Sequence, residues 1–372
     1  MPSRVSGEGT GPRPRVYARG RGTAKAVPGE RGWGPASVKK KGFQMSHRFF
    51  AAITALTSGL FISVLAPGSA AGQAFFPKDT PKFPQAKTWL ERKAKLPPYT
   101  APRTPDGVPD LQGVWGGPVG GGNDDIEEHE YVDVTTPPQE SYISDPPDGK
   151  VPYTPWALAK RNEIRAGLAR GWPGETGERL YVDPGSFCLN GMPRVSFGGQ
   201  EIIQKPGYVI MLTANTYRVI PTDGRPPIGQ NAKFFFGNSR GHWEGDTLVV
   251  AVTSLNGKTW YDSAGNYFTE NTRMTERWRL VDANTIDYEV TIEDPTIYTR
   301  PWKMNYPKRR AGTPGAGGGG GINAAGAAGV APARDPYAKE FWEQTCHEGN
   351  LEHVVGLRQL GFKWFKGVTP PK

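Results

Sequence analysis

Two charged residues stand on otherwise apolar strand faces in the second half of the chain. Glu276 alternates with Met274, Trp278 and Leu280, and Arg300 alternates with Tyr298, Trp302, Met304 and Tyr306. At a period of two, each set shares one face of a strand. A carboxylate or guanidinium on such a face is costly to bury alone, so each needs a partner or water. One reading is a polar anchor at the bottom of an aromatic pocket, orienting the carboxylate or hydroxyl of a small ligand. Its ligand-binding set is Trp243, Trp278, Tyr288, Arg300, Trp302 and Arg225. The other reading is a structural ion pair closing the wall, or a solvated face. Glu276 is also a residue type suited to a general base, as is Asp223. Asp223 and Arg225 flank Gly224, where they could line a pocket mouth or simply form a turn.

Other chemistry-bearing residues fit known sites poorly. His347-Glu348 begins like a zinc-protease helix, but the second histidine would fall at position 351, which is leucine. His129 lies among Asp124, Asp125, Glu127, Glu128 and Glu130, without the fixed ligand spacing of a calcium loop, so a solvated acidic loop is expected. His242 adjoins Trp243, so the two point to opposite faces, with His242 outside. No Gly-x-Ser-x-Gly elbow, phosphate loop or dinucleotide fingerprint occurs. Neither a metal nor a cofactor is expected.

The elements that must position these residues are mostly strands. From residue 199 onward, short β-branched or aromatic runs at 201–204, 208–214, 217–220, 241–243, 248–253, 274–280, 286–292 and 297–306 are separated by turn residues. Ile286, Tyr288, Val290 and Ile292 alternate with Asp287, Glu289 and Thr291, the pattern of a half-buried antiparallel strand. Consecutive antiparallel strands joined by tight turns resolve their edges best by closing. The fold class expected is therefore mainly β, an antiparallel up-and-down barrel over 110–307 with a short helical insertion and a C-terminal helix. The insertion is placed near 155–170, opened by Thr154 as cap and Pro155 at the first helical position. Residues 75–109 read as a Pro-rich arm with a short helix near 88–95, and 308–334 as a Gly/Ala-rich linker. Residues 335–372 read as the terminal helix and tail packed on the barrel.

The front of the chain bears on compartment. Met45 opens a short basic start, an uncharged, mostly apolar run over 49–66 and a small-residue stretch over 67–74, the order of a secretory signal peptide. Residues 1–44 carry ten Lys or Arg against two Glu, and Arg48 adds one more, which accounts for the whole formal charge of +9. Basicity confined to this Gly/Pro/Arg-rich segment argues for an over-translated, disordered extension rather than an RNA-binding arm, so no nucleic-acid partner is expected. No later segment is long and apolar enough to span a bilayer, so no integral span is expected after signal cleavage. In a periplasmic or secreted product, Cys188 and Cys346 form either one disulfide or two buried thiols.

Residues 104–115 (TPDGVPDLQGVW), Phe187-Cys188-Leu189 and Glu293-Asp294-Pro295 resemble an uncharacterised family of exported bacterial proteins. The stretch 241–250 (GHWEGDTLVV) is its most specific motif. That resemblance implies export and architecture but no catalytic residues. More loosely, Gly113-Val114-Trp115 resembles the Gly-x-Trp of lipocalin-like (calycin) barrels, which implies a barrel holding one small apolar ligand. Three functions stay open: an exported carrier of a small apolar or aromatic molecule, a lyase, isomerase or hydrolase using Glu276 or Asp223 as base, and a non-catalytic envelope scaffold.

Overall fold

Alternating burial builds the wall of this protein. The computed structural model describes residues 76–117, 125–133, 136–168, 180–187, 189, 200–213, 216–229, 231–313 and 350–371. The signal-like segment, Cys188, Cys346, His347, Glu348 and the linker from 314 onward lie outside the described residues. Among the described residues ten strands form one sheet. They are β1 (Gly113–Gly116), β2 (Ile143–Asp145), β3 (Gln200–Lys205), β4 (Tyr208–Thr213), β5 (Thr216–Pro221), β6 (Asn238–Glu244), β7 (Thr247–Thr253), β8 (Arg273–Asp282), β9 (Thr285–Glu293) and β10 (Trp302–Arg310). Three helices accompany them: α1 (Ala86–Lys93), α2 (Pro155–Ala166) and α3 (Asn350–Gln359).

The strands follow β5-β4-β3-β1-β10-β9-β8-β7-β6, every bonded pair antiparallel, with β2 pairing β10 off this path. β5 and β6, at the two ends of the path, lie side by side. The wall thus comes nearly full circle in chain order, an up-and-down barrel. Nine strands in a ring cannot all alternate in direction, and the mismatch falls at β5 and β6, which run the same way. A parallel neighbour needs a long crossover, which residues 222–237 supply. This seam carries no backbone ladder and is fastened by side chains. Arg218 Nε donates to Ser239 Oγ at 2.8 Å. Gly241 approaches so closely that a Cβ there would sit 3.0 Å from the Cγ2 atoms of Ile220 and Thr222.

Both ends of the barrel are filled. At the end bearing the β8–β9 turn, Arg310 lies 4.2 Å over the Trp115 ring and donates to the carbonyls of Gln112 and Ala283. Gly113, at φ +119°, leaves room for that guanidinium, since a Cβ would lie 2.5 Å from Arg310 Nη1. At the opposite end Tyr153, Tyr261, Tyr267, Tyr298 and Trp302 pack ring against ring. Their hydroxyls are bonded internally, Tyr298 donating to the Tyr267 carbonyl at 3.0 Å and lying 3.1 Å from the Tyr261 hydroxyl.

The mainly β barrel expected from the sequence is what is found, with instructive departures. Arg300 does not share the interior face. Pro301 interrupts the alternation, β10 starts at Trp302, and Arg300 is exposed and paired with Asp145 at 2.5 Å. The strand also runs past Tyr306 to Arg310, so 308–310 belong to the wall rather than to the linker. Asp287, read as solvent-facing, is covered by α1. Trp89 Nε1 donates to it at 2.8 Å, and Lys93 Nζ bridges Asp287 and Asn305. α2 begins at Pro155, although the Thr154 hydroxyl makes no capping bond, and it buries Ala157, Arg161 and Ile164 on one face. The described C-terminal helix covers Asn350–Gln359.

Candidate functional site

The inward residues of β5, β8, β9 and β10 meet in the barrel's middle. Register fixes this: Trp278 pairs with Tyr288 and Tyr288 with Tyr306, so three rings share one level. Trp278 and Tyr288 lie 4.5 Å apart and Tyr288 and Tyr306 5.0 Å apart, centroid to centroid. Glu276, two residues along β8, is wholly buried. Arg218 reaches it from β5 with Nη2 2.5 Å from Oε2, and the Tyr288 hydroxyl donates to Oε1 at 2.9 Å. Lys308, 4% exposed, projects from the next inward position on β10. Its Nζ stands 5.4, 5.5 and 5.7 Å from the ring centroids of Trp278, Tyr288 and Tyr306. Such positions over ring faces stabilise an ammonium. Burial nevertheless pushes the Lys308 amine down to about 8, with Glu276 opposing. Burial, then Glu276, pushes the Tyr288 hydroxyl well above its ordinary range.

A second buried ionic group lies beneath α2. Asp125 accepts from Arg165 Nη1 at 2.7 Å, Arg161 Nη2 at 3.3 Å, Asn266 Nδ2 at 2.9 Å and the Glu127 amide at 3.0 Å. Asp262 accepts from the amides of Ile126, Ala264 and Asn266 and from Asn266 Nδ2. Burial, then the Asp125 charge, raises the Asp262 carboxyl to about 7. An open groove of about 770 Å³ lies over this cluster, lined in part by Glu127, His129, Arg161 and Arg165. The acidic stretch read as a solvated loop therefore has Asp125 as a buried anchor, because two arginines from one helix face reach it. Among the described residues no cluster of three or more His, Cys, Asp or Glu is placed to hold a metal.

Of the residues singled out in the sequence, the structure brings together Glu276, Trp278 and Tyr288. Trp243 is half-buried against the same core, and Trp302 belongs to the aromatic plug. Asp223 and Arg225 are exposed and paired with each other, with Arg225 Nη2 2.5 Å from the Tyr208 hydroxyl. The Arg225 guanidinium holds the Asp223 carboxyl below its ordinary value, which makes it a poor base. His242 is exposed beside Glu244, on the outer side. The cysteine pairing lies outside the described residues. Arg218, Ser239 and Lys308 were not legible as site residues. The signal for Arg218 was its parity with Ile220, against Tyr217 and Val219, which are 69% and 42% exposed. For Lys308 it was parity with Met304 and Tyr306.

Comparison with protein-family models, with curated proteins and with solved structures finds no match to this chain. Function must be argued from the geometry.

Proposed function

We propose that this protein is an exported barrel that binds a small apolar or aromatic molecule within its wall. The observation carrying this reading is the Arg218–Glu276–Tyr288 hydrogen-bonded group set among buried rings, since a polar cluster inside an apolar barrel interior is what orients a ligand. Export rests on the signal-like order of residues 45–74 and on the resemblance to exported bacterial proteins, and a periplasmic or secreted product follows from it. With both ends filled, entry is by the β5–β6 seam. Parting it breaks the Arg218–Ser239 bond and side-chain contacts, whereas parting any other joint breaks a backbone ladder. The exposed Tyr217, Val219 and Ile228 beside the seam give an apolar ligand a first foothold. A general-base role for Glu276 is less well served, because both its oxygens already accept from buried donors.

The test is titration of the full-length protein with the neutral dye N-phenyl-1-naphthylamine. Saturable fluorescence enhancement, with one dye per chain and energy transfer from tryptophan, is expected. The absence of saturable uptake would remove the carrier reading and leave the scaffold.

A further inference from the structure

Charge inside the barrel does not balance. Arg218 and Lys308 face inward against one carboxylate, Glu276, among the described residues. The other inward cation, Arg310, is spent at the barrel end on Trp115 and two carbonyls. Hydrogen-bond donors do not balance either. Arg218 Nη1, Trp278 Nε1 and Gln200 Nε2 are buried without an acceptor, and Lys308 Nζ faces three rings and makes no hydrogen bond among the described residues. These unmet interior groups are all donors, while both oxygens of Glu276 are taken. Buried donors without acceptors and a buried excess cation both cost stability. A purely structural role at Lys308 would be served at lower cost by an apolar side chain of similar volume.

We infer that the molecule held in this barrel is a monoanion, a carboxylate on an aromatic or apolar body, with the carboxylate received by Arg218 Nη1 and Lys308 Nζ and the body lying against Trp278, Tyr288 and Tyr306. This rests on the carrier reading above and deepens it. One negative charge cancels the excess, whereas a dianionic phosphate would leave the interior with the opposite imbalance. Arg218 has already committed Nε to Ser239 and Nη2 to Glu276, so its Nη1 group and the Lys308 amine share the incoming group.

Calorimetric titration of the full-length protein with naphthalene-2-carboxylate and with the neutral naphthalene-2-carboxamide tests this. The carboxylate is expected to bind at least about tenfold more tightly. In R218M and in K308M that preference should fall to within about threefold, with carboxamide affinity retained and near-ultraviolet circular dichroism unchanged. Should R218M not fold, E276Q serves in its place. Removing the interior carboxylate adds to the excess of positive charge, so the preference should grow, and no growth counts against the inference. Equal or tighter binding of the carboxamide by the wild-type protein would overturn the anion while leaving the carrier reading standing. If neither compound binds, both are overturned.

Discussion

The two buried ionic groups of this molecule are built from similar residues and reach opposite states. Beneath α2, Asp125 and Asp262 together accept eight hydrogen bonds from amides, Asn266 and two arginines, so that the acidic groups are saturated. Inside the barrel, Glu276 is saturated too, but the cations around it are not. Arg218 keeps a buried donor without a partner, and Lys308 has only ring faces. The α2 group ties residues far apart in sequence, Asp125 to Asn266 among them, which is what a structural clamp does. The barrel group joins β5 to β8 across the one joint that lacks a ladder and leaves polar capacity over. Burial and charge alone therefore do not mark a functional site. Unmet capacity of one sign is what supports the carrier reading of the barrel group.

The sharpest break in this comparison comes from removing one carboxylate on each side. D125A leaves Arg161 buried without its principal partner and is expected to lower stability by about 3–5 kcal/mol, read from urea denaturation. E276Q leaves Arg218 in the same position and should destabilise by a comparable amount, about 3 kcal/mol. The two variants should part when naphthalene-2-carboxylate is added: D125A, whose barrel site is intact, should gain no more thermal stability than the wild type, and E276Q should gain more. Equal rescue of both would erase the distinction.

Titration distinguishes the groups next. Lys308 is faced by Trp278 and Glu276 on β8, Tyr288 on β9 and Tyr306 on β10, and Glu276 is in turn paired with Arg218 on β5. Its folded value near 8 lies below the ordinary 10.5, so between these pH values the unfolded chain holds a proton that the folded chain has released. Stability should therefore rise from pH 8 to 10.5, on the order of 3 kcal/mol for this group alone, and K308M should flatten the rise. Asp262 behaves in the opposite sense. Its folded value near 7 lies above the ordinary 3.8, so stability should fall as pH climbs between them, and D262N should remove that fall. Urea midpoints measured across pH check both. Carboxylate binding should weaken above about pH 8 as Lys308 loses its charge.

Two smaller effects complete the set. An I220C/G241C pair across the seam, where the Gly241 Cβ position already meets Ile220, should slow dye entry about tenfold when oxidised and recover on reduction. The wild-type protein under the same reductant controls for Cys188 and Cys346, and unchanged entry in stopped-flow traces would move the route elsewhere. R225A breaks exposed contacts with Asp223 and the Tyr208 hydroxyl, so its effect should stay within about 0.5 kcal/mol, with no change in ligand affinity.

Much of the wall was legible because period-two alternation survives in β8 and β9, where every inward residue but Glu276 is apolar. Glu276 itself was legible as the exception in that pattern. Its partners were not. Arg218 sits among Tyr217, Val219 and Ile220, and the residues that look most like core, Tyr217 and Val219, face outward. Choosing the face of an isolated six-residue strand requires knowing its neighbours' register, which only the closed sheet supplies. Lys308 was hidden by the basic run that follows Pro307, which reads as linker although Pro307 sits within β10 at a register position opposite Asp287. Arg300 failed for the converse reason, since alternation was carried back through Pro301, where the strand has not begun.

Native mass spectrometry of the purified full-length protein is the most direct test. The expected spectrum shows the chain carrying one small acid, either co-purified or acquired from added naphthalene-2-carboxylate, with no adduct in an R218M/K308M double variant that keeps its β-sheet circular dichroism. A wild-type chain that stays bare after incubation, or a double variant that binds as well as the wild type, contradicts a carrier built around the barrel's unbalanced interior.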